Sequence, residues 1–360
     1  MSERLFTARQ DNLRSRLSEL GLDGMLINNL TNIRYLSGFT GSAASCLITP
    51  EGQYFISDGR YLEMSRQQVK GFKRFISNDP HLDTIKKHGL IRKGLNLGFE
   101  GDHVSVNAYR KMSDFFPETH WEATERIVEE LAAVKDESEI AALKTAVEIT
   151  DQVYQEVLPL IKVGVSEKSI ANELLIRYRE YGDGEAYAPI VATGANGALP
   201  HAVPGDRTFQ KGDFIVIDAA ARYAGYHADM TRTPVVGEAS EKHRQIYAIV
   251  KEAQQAGIAA VRNGVTCRDV DAATRDLITD RGYGEYYIHG TGHGIGLEIH
   301  TMPRMSPISE DSLKENYVIT IEPGIYIPDW GGVRIEDDVV VKTDYGEILN
   351  KTTKDLVVLT

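Results

Sequence analysis

The chain repeats itself. KVGVSEKSI at 162–170 returns 100 residues later as RNGVTCRDV at 262–270, and Gly182-Asp183-Gly184-Glu185 returns at the same interval as Gly282-Tyr283-Gly284-Glu285. Self-similarity at a fixed spacing marks one supersecondary unit used twice. Both copies run in the same order: a long helix, a Gly-Val-Ser/Thr turn, a shorter helix, a Gly-x-Gly-Glu turn, then strands. In the first copy Asp136 and Glu139 make a capping-box pattern. Ile140, Leu143, Val147, Tyr154, Val157 and Ile161 then share one helical face, and the pattern stops at Gly164. The shorter helix is expected from Ser166 to Tyr181, with Gly182 as its stop. The expectation is an α+β domain with an internal pseudo-two-fold duplication.

The residues before this domain form a unit of their own. Leu13, Leu17 and Leu20 recur at helical spacing ahead of Gly21, and an apolar strand follows at Met25 to Ile27. Cys46 to Ile48 and Tyr54 to Ile56 flank Pro50-Glu51-Gly52, the signature of a hairpin. The total of 360 residues suits two domains. The boundary is expected at 134/135, giving a smaller α/β domain over 1–134 and the duplicated domain over 135–360.

Acids stand where core residues should be. Phe214, Val216 and Asp218 share one strand face and Ile215 and Ile217 the other, so an apolar strand ends on a carboxylate. A return strand would bring Asp229, with Thr231 and Thr233 on the same side. In the second copy the run Val318 to Ile321 ends on Glu322, and a return strand would carry Arg334 and Glu336 on one face. A single acid at a strand end would simply reach solvent. Two such hairpins bring four carboxylates together, whose charge one arginine cannot balance, and they point to multivalent cations.

Histidine completes the set. HGTGHGIGLEIH at 289–300 interleaves His289, His293 and His300 with four glycines, which lets backbone crowd around a site. His293, framed by glycines, is the ligand candidate; His201 follows the flexible stretch 194–197. His81, His88, His103, His120, His227 and His243 read as hydrogen-bonded structural residues. Four carboxylates with one imidazole suit two hard divalent ions, which activate water for attack on a carbonyl or phosphoryl centre. Hydrolysis is the expected chemistry. No P-loop, G-x-S-x-G elbow or dinucleotide fingerprint occurs in its proper context.

Composition narrows the partners. Forty Lys and Arg against 52 Asp and Glu leave a net charge of −12, which opposes non-specific binding to nucleic acid. No apolar run reaches the length of a membrane helix, and the charged start MSERLFTARQDNL is unlike a secretory leader. Cys46 and Cys267 lie far apart and outside zinc-type spacings, so a reducing, cytoplasmic setting is expected, with no nucleic-acid or membrane partner.

These residues resemble the creatinase/aminopeptidase, or pita-bread, fold of the M24 metallopeptidases, and within it the Xaa-Pro aminopeptidases (aminopeptidase P) and Xaa-Pro dipeptidases (prolidases). VIDAA, DMTRT, GHG, IEPG and RIED carry the likeness. It implies Asp218, Asp229, His293, Glu322 and Glu336 as ligands of two divalent ions, Mn²⁺ first, with Co²⁺ or Zn²⁺ able to take the same cage. NIRYLSGFTGSAA at 32–44 and SDGRY at 57–61 resemble the creatinase-type N-terminal domain, and YAPIVATGANGALPHAVPGDR at 187–207 resembles the stretch that carries a substrate-facing histidine.

The resemblance implies cleavage of the bond before proline by a metal-bridging hydroxide, in proline-containing dipeptides or longer peptides, by a homodimer. Glu322 would shuttle the proton, while His201 and His300 bind or stabilise the substrate carbonyl. His289 would line the pocket and Arg334 would hold the charge network around Asp218 and Glu336 next to substrate. Arg304 resembles the group that takes the carboxylate of a terminal proline, although taken alone it reads equally as a surface arginine. The family commonly has His-Glu where this chain has His300-Thr301, which leaves room for a catalytically inactive or repurposed protein of the same fold that binds peptides or acts on another substrate.

Overall fold

The computed structural model describes residues 3–360, which divide into two compact units with the boundary between Ala132 and Ala133. The first unit opens with helix Glu3–Glu19. It ends before Gly21 (φ 70°), with Leu13 and Leu17 buried and Leu20 left facing solvent. Strand Gly24–Ile27 follows, then the antiparallel pair Ser45–Thr49 and Gly52–Ser57. With Lys73–Ile76, Asn96–Glu100 and His120–Thr124 these make one six-stranded mixed sheet. Leu26, Leu47, Ile56, Leu97, Phe99 and Trp121 form its core on one side.

The second unit shows the duplication. Helix Glu137–Val157 starts on a complete capping box, in which Asp136 accepts from the Ser138 and Glu139 amides and Glu139 accepts from the Asp136 amide. It stops at Val157, earlier than the apolar periodicity predicts. Pro159 has no N–H to continue the helix, and the chain tightens into a 3₁₀ turn over Leu158–Leu160. Ile161 is buried all the same. Helix Glu167–Tyr181 is capped by Ser166, and its counterpart Cys267–Asp280 is capped by Thr266.

Gly164 (φ 87°) and Gly264 (φ 83°) turn the chain alike ahead of them. The two shorter helices bury equivalent positions: Glu167, Ile170, Ala171, Leu174 and Tyr178 in one, Cys267, Val270, Asp271, Thr274 and Ile278 in the other. The likeness fades beyond them. Gly182 is extended and lies where a Cβ would come within 2.6 Å of the Arg222 carbonyl, whereas Gly282 is left-handed.

The strands carry the acids to the interior. Ile190–Thr193, Ile215–Asp218 and Thr231–Arg232 form an antiparallel sheet with Thr231 opposite Asp218. Ile215 and Ile217 pack into one core with Val153 and Leu174, while Val216 faces the other way against Ala192 and Ala202. In the second half Gly292–Gly294, Val318–Ile321 and Asp337–Val341 lie side by side.

The single return strand expected to carry Arg334 and Glu336 is a correction. Pro323 cannot extend the ladder after Glu322. The chain leaves the sheet there and forms a separate ribbon, Gly324–Ile327 with Gly331–Arg334. It rejoins the sheet only at Asp337, opposite Ile321. Arg334 therefore ends the ribbon, and Glu336 sits at the crossing, where its amide donates to the Thr231 carbonyl.

Candidate metal centre

Asp218, Asp229 and Glu336 each present a carboxylate oxygen within 4.8 Å of the other two. Asp218 ends its strand, Asp229 precedes the return strand, and Glu336 arrives from the second half. The other two candidates flank this trio. His293 Nε2 lies 3.6 Å from Asp229 and 3.4 Å from Glu322. All five side chains thus converge, and each duplicated half contributes at least two.

The charge balance tests whether cations fit. Burial, followed by repulsion from Asp218 and other acids, holds Asp229 well above the usual carboxylate range. Glu336 is raised in the same way by burial, Asp229 and Glu322. Glu322 rises to about 7, chiefly through burial, although the nearby Arg334 pulls against the shift. Such a cluster is costly without further positive charge.

Burial, with His300 next, lowers His293 to about 4, so its imidazole is neutral at ordinary pH. Its Nδ1 lies 3.1 Å from the Gly294 carbonyl and must donate there, which turns the Nε2 lone pair towards Asp229 and Glu322. Oxygen-rich coordination completed by one oriented imidazole is the donor set of hard or borderline divalent ions. The residues fit two such ions.

A layer of partners holds the acids in place. The Arg334 guanidinium meets Asp218 at 2.5 Å, donates from Nε to Thr231 at 3.0 Å and from a terminal nitrogen to the Tyr326 hydroxyl at 2.6 Å, and is 3 % exposed. Its donors are committed to the protein, so the structure places it behind Asp218 rather than against substrate. Thr231 also donates to Glu336 at 2.7 Å, and Thr320 donates to Glu322 at 3.2 Å.

Several contributors were not singled out in the sequence. The Tyr187 hydroxyl hydrogen-bonds both Asp218 and Asp229. Buried Asp338 accepts from the Asp229 amide at 2.9 Å, and Arg232, 2 % exposed, pairs with Asp337 at 2.7 Å. Tyr187 lies in the stretch noted for His201, but a tyrosine outside any spacing pattern carries no signal. The one available for Arg232, Asp337 and Asp338 was a run of charges in strands otherwise apolar.

The remaining candidates surround the cluster. His289 Nε2 is 2.8 Å from the Tyr326 hydroxyl, and burial, then Arg334, lowers it to about 4. The His300 ring stands edge-on to His293 with centroids 4.4 Å apart. Exposed His201 is close enough for its charge to disfavour protonation of both His289 and His300. Arg304 is exposed and occupies the strand position opposite His293. Thr301 donates to the Met302 carbonyl, so no carboxylate takes the place next to His300.

Of the six histidines read as hydrogen-bonded structural residues, three are so held, while His88, His103 and His120 are exposed and make no side-chain hydrogen bond among the described residues. His243 completes the capping box of Ser240, His227 bonds the Gly296 carbonyl, and His81 bonds Ser45. Cys46 and Cys267 are free and buried, and among the described residues no helix is long and apolar enough to cross a membrane.

A duplicated α+β domain that closes two strand groups on a buried carboxylate and histidine cluster defines a metallohydrolase of the pita-bread class. The chain belongs to metallopeptidase family M24: the family model matches residues 141–343, and that of the creatinase/prolidase N-terminal domain matches residues 9–134. It is 35% identical to the Xaa-Pro dipeptidase of Pyrococcus furiosus over 97% of this chain and 99% of that one. Among solved structures, the Xaa-Pro dipeptidase from Bacillus anthracis superposes with a TM-score of 0.94 at 40% identity, covering 98% of this chain and all of that one. The X-Pro aminopeptidase from Thermotoga maritima gives 0.89 at 36%, covering 96% and all of that chain.

Proposed function

We propose that this protein is a metal-dependent Xaa-Pro peptidase, hydrolysing the bond between an N-terminal residue and proline, with two Mn²⁺ ions as its working cofactors. One observation carries the reading: Asp218, Asp229, His293, Glu322 and Glu336 converge in a buried site with far too little positive charge of its own. The relatives named above, Xaa-Pro dipeptidases and an aminopeptidase, supply the substrate class. With all five positions filled, no observation favours an inactive protein. The catalytic domain is taken as 135–360 and the creatinase-type domain as 1–134. A cytoplasmic homodimer is the proposed working form, and the two free buried cysteines agree with a reducing compartment.

Divalent ions bound by the five residues polarise a carbonyl and activate water. The protein does the rest. Arg334 and Tyr187 fix the Asp218 carboxylate, so that the ligand geometry does not relax when substrate enters. Proline nitrogen has no hydrogen and leaves as an amine only if protonated, and Glu322 carries that proton. His201 and His300, both exposed, donate to the substrate carbonyl oxygen as negative charge develops on it. His289, held against Tyr326, forms a wall of the pocket. Arg304 takes the free carboxylate of an Xaa-Pro dipeptide by a charge-assisted hydrogen bond.

Incubation of the purified chain and Mn²⁺ with Xaa-Pro dipeptides and Xaa-Pro-Xaa tripeptides tests the assignment. Release of the N-terminal residue, abolished by chelator and restored by metal, is expected. Lack of turnover on every such peptide with Mn²⁺, Co²⁺ and Zn²⁺ rejects it. Preference for dipeptides that is lost in Arg304→Ala places Arg304 on the terminal carboxylate.

A further inference from the structure

The duplicated halves allow a comparison within one molecule. Helices Glu167–Tyr181 and Cys267–Asp280 bury equivalent positions, yet their chemistry differs, notably at 171/271 and 174/274. The first half has Ala171 and Leu174, members of a hydrophobic core. The second has Asp271 and Thr274, 1 % and 0 % exposed, with Arg275 where the first has Leu175. At these positions the junction between such a helix and its strands can therefore be packed with hydrocarbon alone. A buried ion pair is seldom a net gain over such packing, so stability does not account for the polar residues.

Their hydrogen bonds do. Asp271 Oδ1 accepts from the Thr291 amide at 3.1 Å and the Thr291 hydroxyl at 2.9 Å, and Arg275 doubly pairs with the same carboxylate at 2.7 and 2.9 Å. The guanidinium then donates to the backbone carbonyls of Tyr287, at 3.1 Å, and His289, at 2.7 Å, while lying 4.3 Å from the Tyr287 ring centroid. Thr291 in turn accepts the Glu322 amide on its carbonyl at 2.8 Å. One helix thus grips the backbone of a pocket histidine directly and that of Glu322 through a single threonine.

We propose that Asp271 and Arg275 are positioning residues, a clamp that sets the His289 ring against Tyr326 and aligns Glu322 with the metal cluster. Its catalytic consequence rests on the peptidase reading above; its mechanical part does not. Loss of the clamp lets the 287–291 backbone drift, and displacement by about an ångström is enough to lower turnover substantially.

The full chain loaded with Mn²⁺ tests this through Arg275→Met, Arg275→Lys and a triple variant, Asp271→Ala/Thr274→Leu/Arg275→Leu, which copies the first half. For Arg275→Met, kcat/KM on an Xaa-Pro dipeptide is expected to fall about tenfold or more, with KM raised and bound metal unchanged. Arg275→Lys should recover part of both constants, since an ammonium still reaches one carbonyl. Hydrogen exchange should quicken at the amides of 287–293 and at Glu322, and stay unchanged at 190–193 in the other half.

The triple variant should match the wild-type thermal midpoint while showing the same kinetic loss; if it fails to fold, Arg275→Met decides. An unchanged KM with kcat lowered only in proportion to lost folded protein, or unaltered exchange over 287–293, overturns the proposal. Should the wild type cleave no Xaa-Pro peptide, the peptidase reading falls while the exchange measurement still judges the clamp.

Discussion

The Arg334 guanidinium lies 2.5 Å from the Asp218 carboxylate with both side chains largely withdrawn from solvent, at 3 % and 13 % exposure. It is the one cation paired directly with the acid cluster among the described residues. Removing one partner of such a pair costs on the order of 3–5 kcal/mol, because the other charge stays buried. Arg334→Met should therefore lower both the thermal midpoint of the metal-free protein and the activity of the loaded one, the latter by about tenfold to a hundredfold. Arg334→Lys should recover little, since an ammonium cannot serve Asp218, Thr231 and Tyr326 together. Recovery of full activity by the lysine variant would show that only the charge is used.

The helix starts, the duplication and the ligand acids were legible in the sequence because each depends on local rules: Asp136 and Glu139 at capping spacing, the repeat around Gly164 and Gly264, Asp218 and Glu322 ending apolar strands. What stayed hidden depends on pairing between distant segments. Nothing local says that Pro323 splits the second hairpin, so Arg334 was placed on the wrong strand. Tyr187 and Asp338 acquire their roles only when Asp229 lands beside them, more than 40 and 100 residues away in sequence. The sequence places His201 just after a flexible stretch but does not reveal what holds that segment in position.

That anchor is Glu167, 0 % exposed at the start of its helix. It accepts the Thr193 amide at 2.8 Å, the Asn196 side chain at 3.0 Å and the Gly205 amide at 3.0 Å, pinning both ends of the segment that carries His201. Hydrogen bonds to a charged group are worth roughly 1.5–3 kcal/mol each. Glu167→Ala should cost several degrees of thermal midpoint and raise KM, and Glu167→Gln should fall between it and the wild type. Unchanged KM in the alanine variant, measured on folded protein, would separate His201 from substrate binding.

Tyr178 is buried at the back of the first-half core with its hydroxyl unpartnered in the structure. Removing an unsatisfied buried polar group of this kind is neutral or stabilising, by roughly 1 kcal/mol or more. Tyr178→Phe should keep or raise the thermal midpoint, by about 2–4 °C per kcal/mol for a domain of this size. A clear drop would reveal a hydrogen-bond partner for the phenol.

His243 ties stability to acid pH. Its Nδ1 lies 3.1 Å from the Ser240 amide nitrogen, a contact that needs an unprotonated ring nitrogen. Burial, with Lys242 adding to it, lowers its pKa below 6.5, although Gly212 and Asp213 pull the other way. A lowered folded-state value means that the unfolded chain binds the proton more readily. The contribution is present in full above pH 6.5 and is lost as pH falls towards the folded-state value. Glutamine at this position can still accept from the cap amide and does not titrate. The stability of wild type should fall relative to that of His243→Gln on acidification below pH 6.5, and parallel curves would rule out His243 as a source of the acid sensitivity.

Glu336 sets stability against function. Without cations its charge is opposed by burial, Asp229 and Glu322, while the hydrogen bond its carboxylate accepts from the Thr231 hydroxyl, at 2.7 Å, can be kept by an amide oxygen. Glu336→Gln should raise the thermal midpoint of chelator-treated protein by a few degrees. The same change removes a ligand, so the rise in midpoint on adding Mn²⁺, which grows with the logarithm of metal concentration over the dissociation constant, should shrink and peptide hydrolysis should be lost. The crossing is the diagnostic result: the variant is more stable than wild type in chelator and less stable in saturating metal. If instead the midpoint falls equally in both conditions, Glu336 is a structural acid and the metal is held by the other four side chains.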